Sequence, residues 1–211
     1  MNATEIIEKI KVVPVIVIKD ENKSEKLAES LIKGGLPVAE VTFRTAAAEN
    51  AIKRMKAYSP DILVGAGTVI NATQAERAIN AGADFIVGPA LSESVAAYCA
   101  ERSVFYVPGC VTPYEIMKAI ECGARIIKFF PAGAFGGLKT IKSLAAPFGD
   151  IRFMPTGGVN ADNLAEYLSF DKIAACGGSW MAESSLIEEE NFAEIEKRCR
   201  IAASIAASVK E

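Results

Sequence analysis

At 211 residues with 51% hydrophobic side chains, the chain is long enough to bury one substantial core. Its 23 basic and 26 acidic residues leave a net charge of −3 with no long run of either sign, which excludes the basic stripe a nucleic-acid backbone demands. Histidine is absent, which removes imidazole metal ligands, a Ser-His-Asp triad and a histidine base, and leaves neutral-pH acid–base chemistry to carboxylate, lysine, tyrosine or cysteine.

In chain order, residues 2–11 read as a polar helix without the charged-then-apolar layout of a secretory signal. A first apolar, β-branched strand over 12–19 is followed by a helix over 24–33, which ends at Gly34-Gly35, where a left-handed cap forms easily. The alternation repeats as strand 38–43 and helix 46–57, strand 62–68 and helix 73–81, then strand 85–89 and helix 92–101. Strand 105–109 leads into a helix over 113–121, opened by Thr112-Pro113 and closed at Gly123. Strand 126–131 and helix 138–145 come next, then strand 152–157 and helix 161–168 behind the capping run Asn160-Ala161-Asp162. A strand over 173–177 and a long helix over 191–209 complete the series, the helix carrying Ile201, Ala202, Ile205 and Ala206 on one apolar stripe for core packing.

Eight strand–helix units, each roughly 20–25 residues long, predict an α/β fold: a single (β/α)8 TIM barrel with an extra N-terminal helix across its floor, one domain spanning 1–211. An open doubly wound sheet allows the same alternation but calls for a glycine-rich fingerprint after the first strand. That strand ends Ile18-Lys19-Asp20-Glu21-Asn22, with no glycine. No apolar stretch is long enough to span a bilayer, so a soluble cytoplasmic protein is expected. The five cysteines are odd in number and never spaced as CxxC, which suits reduced thiols packed as small hydrophobes.

Active sites of such barrels gather at the C-terminal strand ends. There the sequence sets a lysine inside an apolar run, Ile126-Ile127-Lys128-Phe129-Phe130-Pro131. Burial disfavours the charged form of a lysine, and a neutral amine is a nucleophile. The other reading is a lysine whose stem lies on apolar surface while its head reaches water. Inward residues of alternate strands share layers, so Glu40 on the second strand and Lys128 on the sixth are expected to lie close, as a structural ion pair or as acid–base group and nucleophile. Arg44 follows Glu40 at the strand end and is either a clamp for a substrate carboxylate or a surface arginine. Thr68 follows a Gly-Ala-Gly turn that lets backbone approach a ligand. Gly157-Gly158 and Gly177-Gly178-Ser179, after the last two strands, sit where barrels commonly hold phosphate.

Taken together, Val12-Val13-Pro14-Val15-Ile16-Val17, Glu40-Val41-Thr42-Phe43-Arg44-Thr45, Gly65-Ala66-Gly67-Thr68-Val69, Lys128-Phe129-Phe130-Pro131-Ala132, Pro155-Thr156-Gly157-Gly158 and Gly177-Gly178-Ser179-Trp180 resemble the 2-keto-3-deoxy-6-phosphogluconate (KDPG) and 4-hydroxy-2-oxoglutarate (KHG) aldolases. The resemblance implies a class I aldolase that needs no metal or other cofactor and is usually a homotrimer. Its substrate would be a phosphorylated 2-keto acid, split into pyruvate and glyceraldehyde 3-phosphate, with 4-hydroxy-2-oxoglutarate split into pyruvate and glyoxylate. It assigns Lys128 as the Schiff-base lysine and Glu40 as the general acid/base. Arg44, Thr68 and Thr156 fall to the substrate carboxylate, Gly157, Gly158, Gly178 and Ser179 to the phosphate, and Pro89 and Phe130 to the pocket wall. Gly88 stands where the resemblance leads one to expect serine, and Met154 where cysteine is common. The alternatives are an aldolase for the phosphogalactonate epimer and a non-catalytic barrel that binds a phosphate ligand.

Overall fold

A computed structural model describes residues 3–209; Asn2, where the first predicted helix begins, and the ends of the predicted 1–211 domain lie outside the described residues. Helix α1 (Ala3–Ile10) precedes β1 (Val12–Ile16), α2 (Ser24–Lys33), β2 (Val38–Thr42), α3 (Ala48–Tyr58), β3 (Leu63–Gly67) and α4 (Ala72–Asn80). The chain goes on through β4 (Phe85–Val87), α5 (Glu93–Glu101), β5 (Phe105–Val107), α6 (Pro113–Glu121), β6 (Ile126–Phe129) and α7 (Gly137–Ala145). It ends with β7 (Arg152–Pro155), α8 (Leu164–Leu168), β8 (Cys176–Gly178), α9 (Ser184–Glu188) and α10 (Phe192–Ser208).

Six parallel strands form a curled sheet in the order β5-β4-β3-β2-β1-β8, and β6 pairs with β7. Single parallel bridges join the two sets: Gly109 with Lys128 beside β5, Phe153 with Ile173 and Thr156 with Gly177 beside β8. The strands are buried almost throughout, β2 and β3 at every position, as expected where helices cover a parallel sheet.

The strands are shorter than their apolar runs. After Ile16 the chain leaves the sheet, because the Ile18 carbonyl accepts from Thr45 Oγ1 and a short 3₁₀ turn follows over Glu21–Lys23 under an Asp20 cap. The last strand begins at Cys176 rather than 173, and Ile173 contributes only its bridge to Phe153. The helix expected over 161–168 starts at Leu164, because Asn160 Oδ1 takes the N–H groups of Asp162 and Asn163 and holds them in a turn. At α6 the expected start is present as a capping box: Thr112 Oγ1 accepts from the Glu115 N–H, and Glu115 accepts from the Thr112 N–H. Left-handed caps fall at Gly35, Gly82 and Gly123, with Gly34 remaining right-handed. On α10 the buried positions are Ile195, Cys199, Ala202 and Ala206, while Ile201 is exposed, so the stripe is rotated from the one read in sequence.

All five cysteines are free, and four are buried. Burial pushes the Cys99 thiol up to about 11 and those of Cys110 and Cys199 up to about 12, so they pack as protonated hydrophobes at neutral pH.

Candidate active site

Lys128 and Glu40 come from strands whose backbones are held on both sides. Glu40 sits in register with Val15 of β1 and Gly65 of β3. The Lys128 N–H donates to the Pro108 carbonyl at 2.8 Å, and its own carbonyl accepts from the Cys110 N–H at 2.9 Å. Inside the curl Lys128 Nζ lies 2.9 Å from Glu40 Oε1. Glu40 is fully buried and Lys128 shows 5% of its surface, so the lysine head does not reach out to solvent. The second carboxylate oxygen, Oε2, is buried with no hydrogen-bond partner among the described residues. An unsatisfied buried carboxylate oxygen is costly, and it marks a place for an incoming donor.

Phe130 lines the amine, its ring centroid 5.4 Å from Lys128 Nζ. The backbone of Pro89 packs against Gly109, where a Cβ would overlap the Pro89 carbonyl, and Gly109 is the bridge partner of Lys128. Arg44 is exposed at the end of β2, and its Nε donates to Thr68 Oγ1 at 3.1 Å, while its terminal nitrogens have no partner among the described residues. Thr68 holds φ at +58°, a left-handed conformation that a β-branched residue adopts only at a cost of about 1–3 kcal/mol.

Thr156 is 5% exposed, and its hydroxyl is buried without a partner among the described residues. It stands beside Gly177, where a Cβ would overlap Oγ1. The turn after it has φ of +85° at Gly157 and +87° at Gly158. Protein donors take its carbonyls: Ala132 N–H on Thr156 at 2.8 Å, Gly133 N–H on Gly157 at 2.9 Å and Asn163 Nδ2 on Gly158 at 2.9 Å. Among the described residues the N–H groups of Gly157 and Gly158 have no protein acceptor. With carbonyls turned in and N–H groups free, the turn suits an anion. Gly178 and the exposed Ser179 follow Gly177, the bridge partner of Thr156, and so border the same turn.

The structure brings together Lys128, Glu40 and Phe130, places Arg44 with Thr68 at the ends of β2 and β3, sets Pro89 against Gly109 beside β6, and puts the glycine turns at β7 and β8. One contributor, Asn163, is not singled out in the sequence, and Gly177, read there only as part of a phosphate loop, clears space for the Thr156 hydroxyl. Asn163 pins the Gly158 carbonyl; the repeated asparagine in Asn160-Ala161-Asp162-Asn163 was the available clue. Helices α8 and α9 have five residues each, and the free N–H groups belong to the glycine turn before α8.

Gly88 packs against Ala90 and Tyr106. A Cβ there would lie 2.6 Å from the Ala90 carbonyl and 2.7 Å from Tyr106 Oη. The Tyr106 hydroxyl accepts from the Ser92 N–H at 3.3 Å and donates to Ala90 at 3.2 Å; burial pushes it well above the ordinary phenol range. Tyr106 thus occupies the space a serine would need, and Gly88→Ser is expected to cost about 1–3 kcal/mol by overpacking. A thermal melt unchanged from wild type would contradict this. Met154, which stands where cysteine is common, is buried and in register with Lys128.

The family described as "Aldolase: KDPG and KHG aldolase" matches residues 3–198. The chain is 43% identical over 199 residues to a 2-dehydro-3-deoxy-phosphogluconate aldolase of Haemophilus influenzae, covering 93% of this chain and 94% of that protein. It superimposes with a TM-score of 0.91 on the KDPG aldolase of Legionella pneumophila, solved with pyruvate captured at low pH as a covalent carbinolamine intermediate; identity is 35%, over 96% of this chain and 98% of the other. The 2-keto-3-deoxy-6-phosphogluconate aldolase of Zymomonas mobilis, solved with 3-phosphoglycerate, gives 0.91 at 35% identity, over 99% and 97%. The chain belongs to the KDPG and KHG aldolase family.

Proposed function

We propose that the chain is a class I aldolase that cleaves 2-keto-3-deoxy-6-phosphogluconate to pyruvate and glyceraldehyde 3-phosphate, and 4-hydroxy-2-oxoglutarate to pyruvate and glyoxylate. The observation that carries this is the buried Lys128–Glu40 pair at 2.9 Å, with Glu40 Oε2 left unpaired.

In this reading a proton passes from the lysine to Glu40, and the neutral amine adds to the C2 ketone. Glu40 returns that proton to the carbinolamine hydroxyl, which leaves as water and gives a cationic imine. Glu40, again a carboxylate, takes the C4 hydroxyl proton; the C3–C4 bond breaks, and its electron pair passes into the imine as an enamine. The aldehyde departs, Glu40 protonates C3, and one water hydrolyses the imine to free pyruvate and Lys128. The imine is the electron sink, so the sequence of steps asks for no metal. Arg44, Thr68 and Thr156 hold the carboxylate end, and the N–H groups at Gly157 and Gly158, with Gly178 and Ser179, hold the phosphate.

The frame of the reading is one domain in which the isolated bridges close the eight strands into a (β/α)8 barrel with α1 across its floor. We place the enzyme in the cytoplasm; among the described residues no helix is long and apolar enough to cross a membrane. We further propose a homotrimer that covers the exposed Tyr114, Met117 and Ile120 of α6, and a monomer mass in sedimentation would remove that assignment.

The test is pyruvate release from the phosphorylated keto acid, run beside condensation of pyruvate with phosphorylated and unphosphorylated glyceraldehyde. Charge-assisted hydrogen bonds contribute about 1.5–3 kcal/mol, so kcat/KM should favour the phosphorylated aldehyde by at least about tenfold. Equal use of both would take the phosphate role from the glycine turns, and no cleavage of either keto acid would take away the function.

A further inference from the structure

We propose that Gly67 is a positioning residue for Glu40: the missing side chain at the end of β3 is what allows the carboxylate to meet Lys128. The inference deepens the aldolase reading and rests on it. Gly67 is buried in β3, where its carbonyl accepts from the Phe43 N–H at 2.7 Å and its Cα is in register with Thr42. It is not among the glycines with positive φ, so its backbone conformation is open to any residue. What a side chain would change there is space.

A Cβ at Gly67 would overlap Glu40 Oε1 and lie 2.7 Å from Cγ and 2.8 Å from Cδ; its three nearest neighbours are all atoms of Glu40. Oε1 is the oxygen that Lys128 Nζ touches at 2.9 Å. Glu40 is fully buried, so its carboxylate cannot make room by moving into solvent. One methyl at position 67 therefore drives the carboxylate off the amine. Gly65, two residues earlier on the same strand face, is crowded by the Phe85 ring, which brings no chemistry. The same clearance serves packing at Gly65 and the reacting carboxylate at Gly67.

Gly67→Ala should therefore impair proton transfer and spare the amine. The experiment follows exchange of the pyruvate methyl protons in deuterated water by NMR, beside borohydride trapping of the pyruvyl adduct on Lys128. Exchange should fall by about 100-fold or more, the scale of losing a general acid/base, while the adduct still forms. In a Glu40→Gln background, adding Gly67→Ala should lower exchange no further, because both changes act on one group. Exchange at the wild-type rate, or an equal further loss in the Glu40→Gln background, would overturn the inference.

If Gly67→Ala does not fold, Gly67→Ala combined with Glu40→Ala decides the matter. Recovery of a cooperative melt upholds the clash with Glu40, and a double variant that melts below Glu40→Ala alone by as much as Gly67→Ala melts below wild type overturns it. Wild-type protein that forms no adduct on Lys128 would sink the aldolase reading instead; the melting comparison with and without Glu40→Ala still tests the clearance by itself.

Discussion

Lys128→Ala is expected to abolish turnover, a loss on the order of a millionfold or more, because the imine and the electron sink it provides disappear together. The geometry offers no substitute: among the described residues Lys128 is the lysine that is buried at the strand ends and faces a carboxylate. The change has a second effect. Glu40 is wholly buried, and removing its cation leaves a charge that costs about 3–5 kcal/mol unless the carboxyl takes up a proton. A lower melting temperature should therefore accompany the lost activity. Lys128→Met, which keeps most of the side-chain volume, separates the two: it should fold better than the alanine variant and be equally inactive. Wild-type turnover in a folded variant of either kind would refute the role given to Lys128.

Glu40→Gln is the second large effect, and it divides the mechanism. Glutamine keeps the shape and can still accept from Lys128, but it cannot carry the proton between C4, C3 and the carbinolamine. Turnover and pyruvate methyl exchange should each fall by about 100- to 10,000-fold. Imine formation should persist in part, since the amine itself is intact. Measured by NMR exchange and borohydride trapping on the same preparation, that split is the signature of an acid–base residue. Exchange at the wild-type rate would remove Glu40 from that role.

Much of this site is legible in the sequence, for a physical reason. A lysine in Ile126-Ile127-Lys128-Phe129 and a glutamate in Val38-Ala39-Glu40-Val41 each interrupt an otherwise apolar strand, and two such interruptions on alternate strands have few other ways to be satisfied than each other. The alternation of strands and helices was equally plain. Element ends were not, because they are decided by side chains that compete for backbone groups. Thr45 takes the Ile18 carbonyl and Asn160 takes the N–H groups at 162 and 163, and neither capture shows in hydrophobic periodicity. The rotated stripe of α10 reflects its packing against α2 and α8, where the bare Gly34 meets Cys199. The glycines were read as makers of turns, which holds for Gly157 and Gly158. Gly67 and Gly177 work by vacating space for Glu40 and Thr156, a contact between strands that one sequence does not display.

The measurement that bears most directly on the whole account is borohydride reduction of the wild-type protein in the presence of pyruvate, followed by peptide mass spectrometry. The account predicts one pyruvyl adduct, on the peptide that carries Lys128. Folded protein without an adduct, or with the adduct on another lysine, would contradict it and return the buried Lys128–Glu40 pair to a structural ion pair.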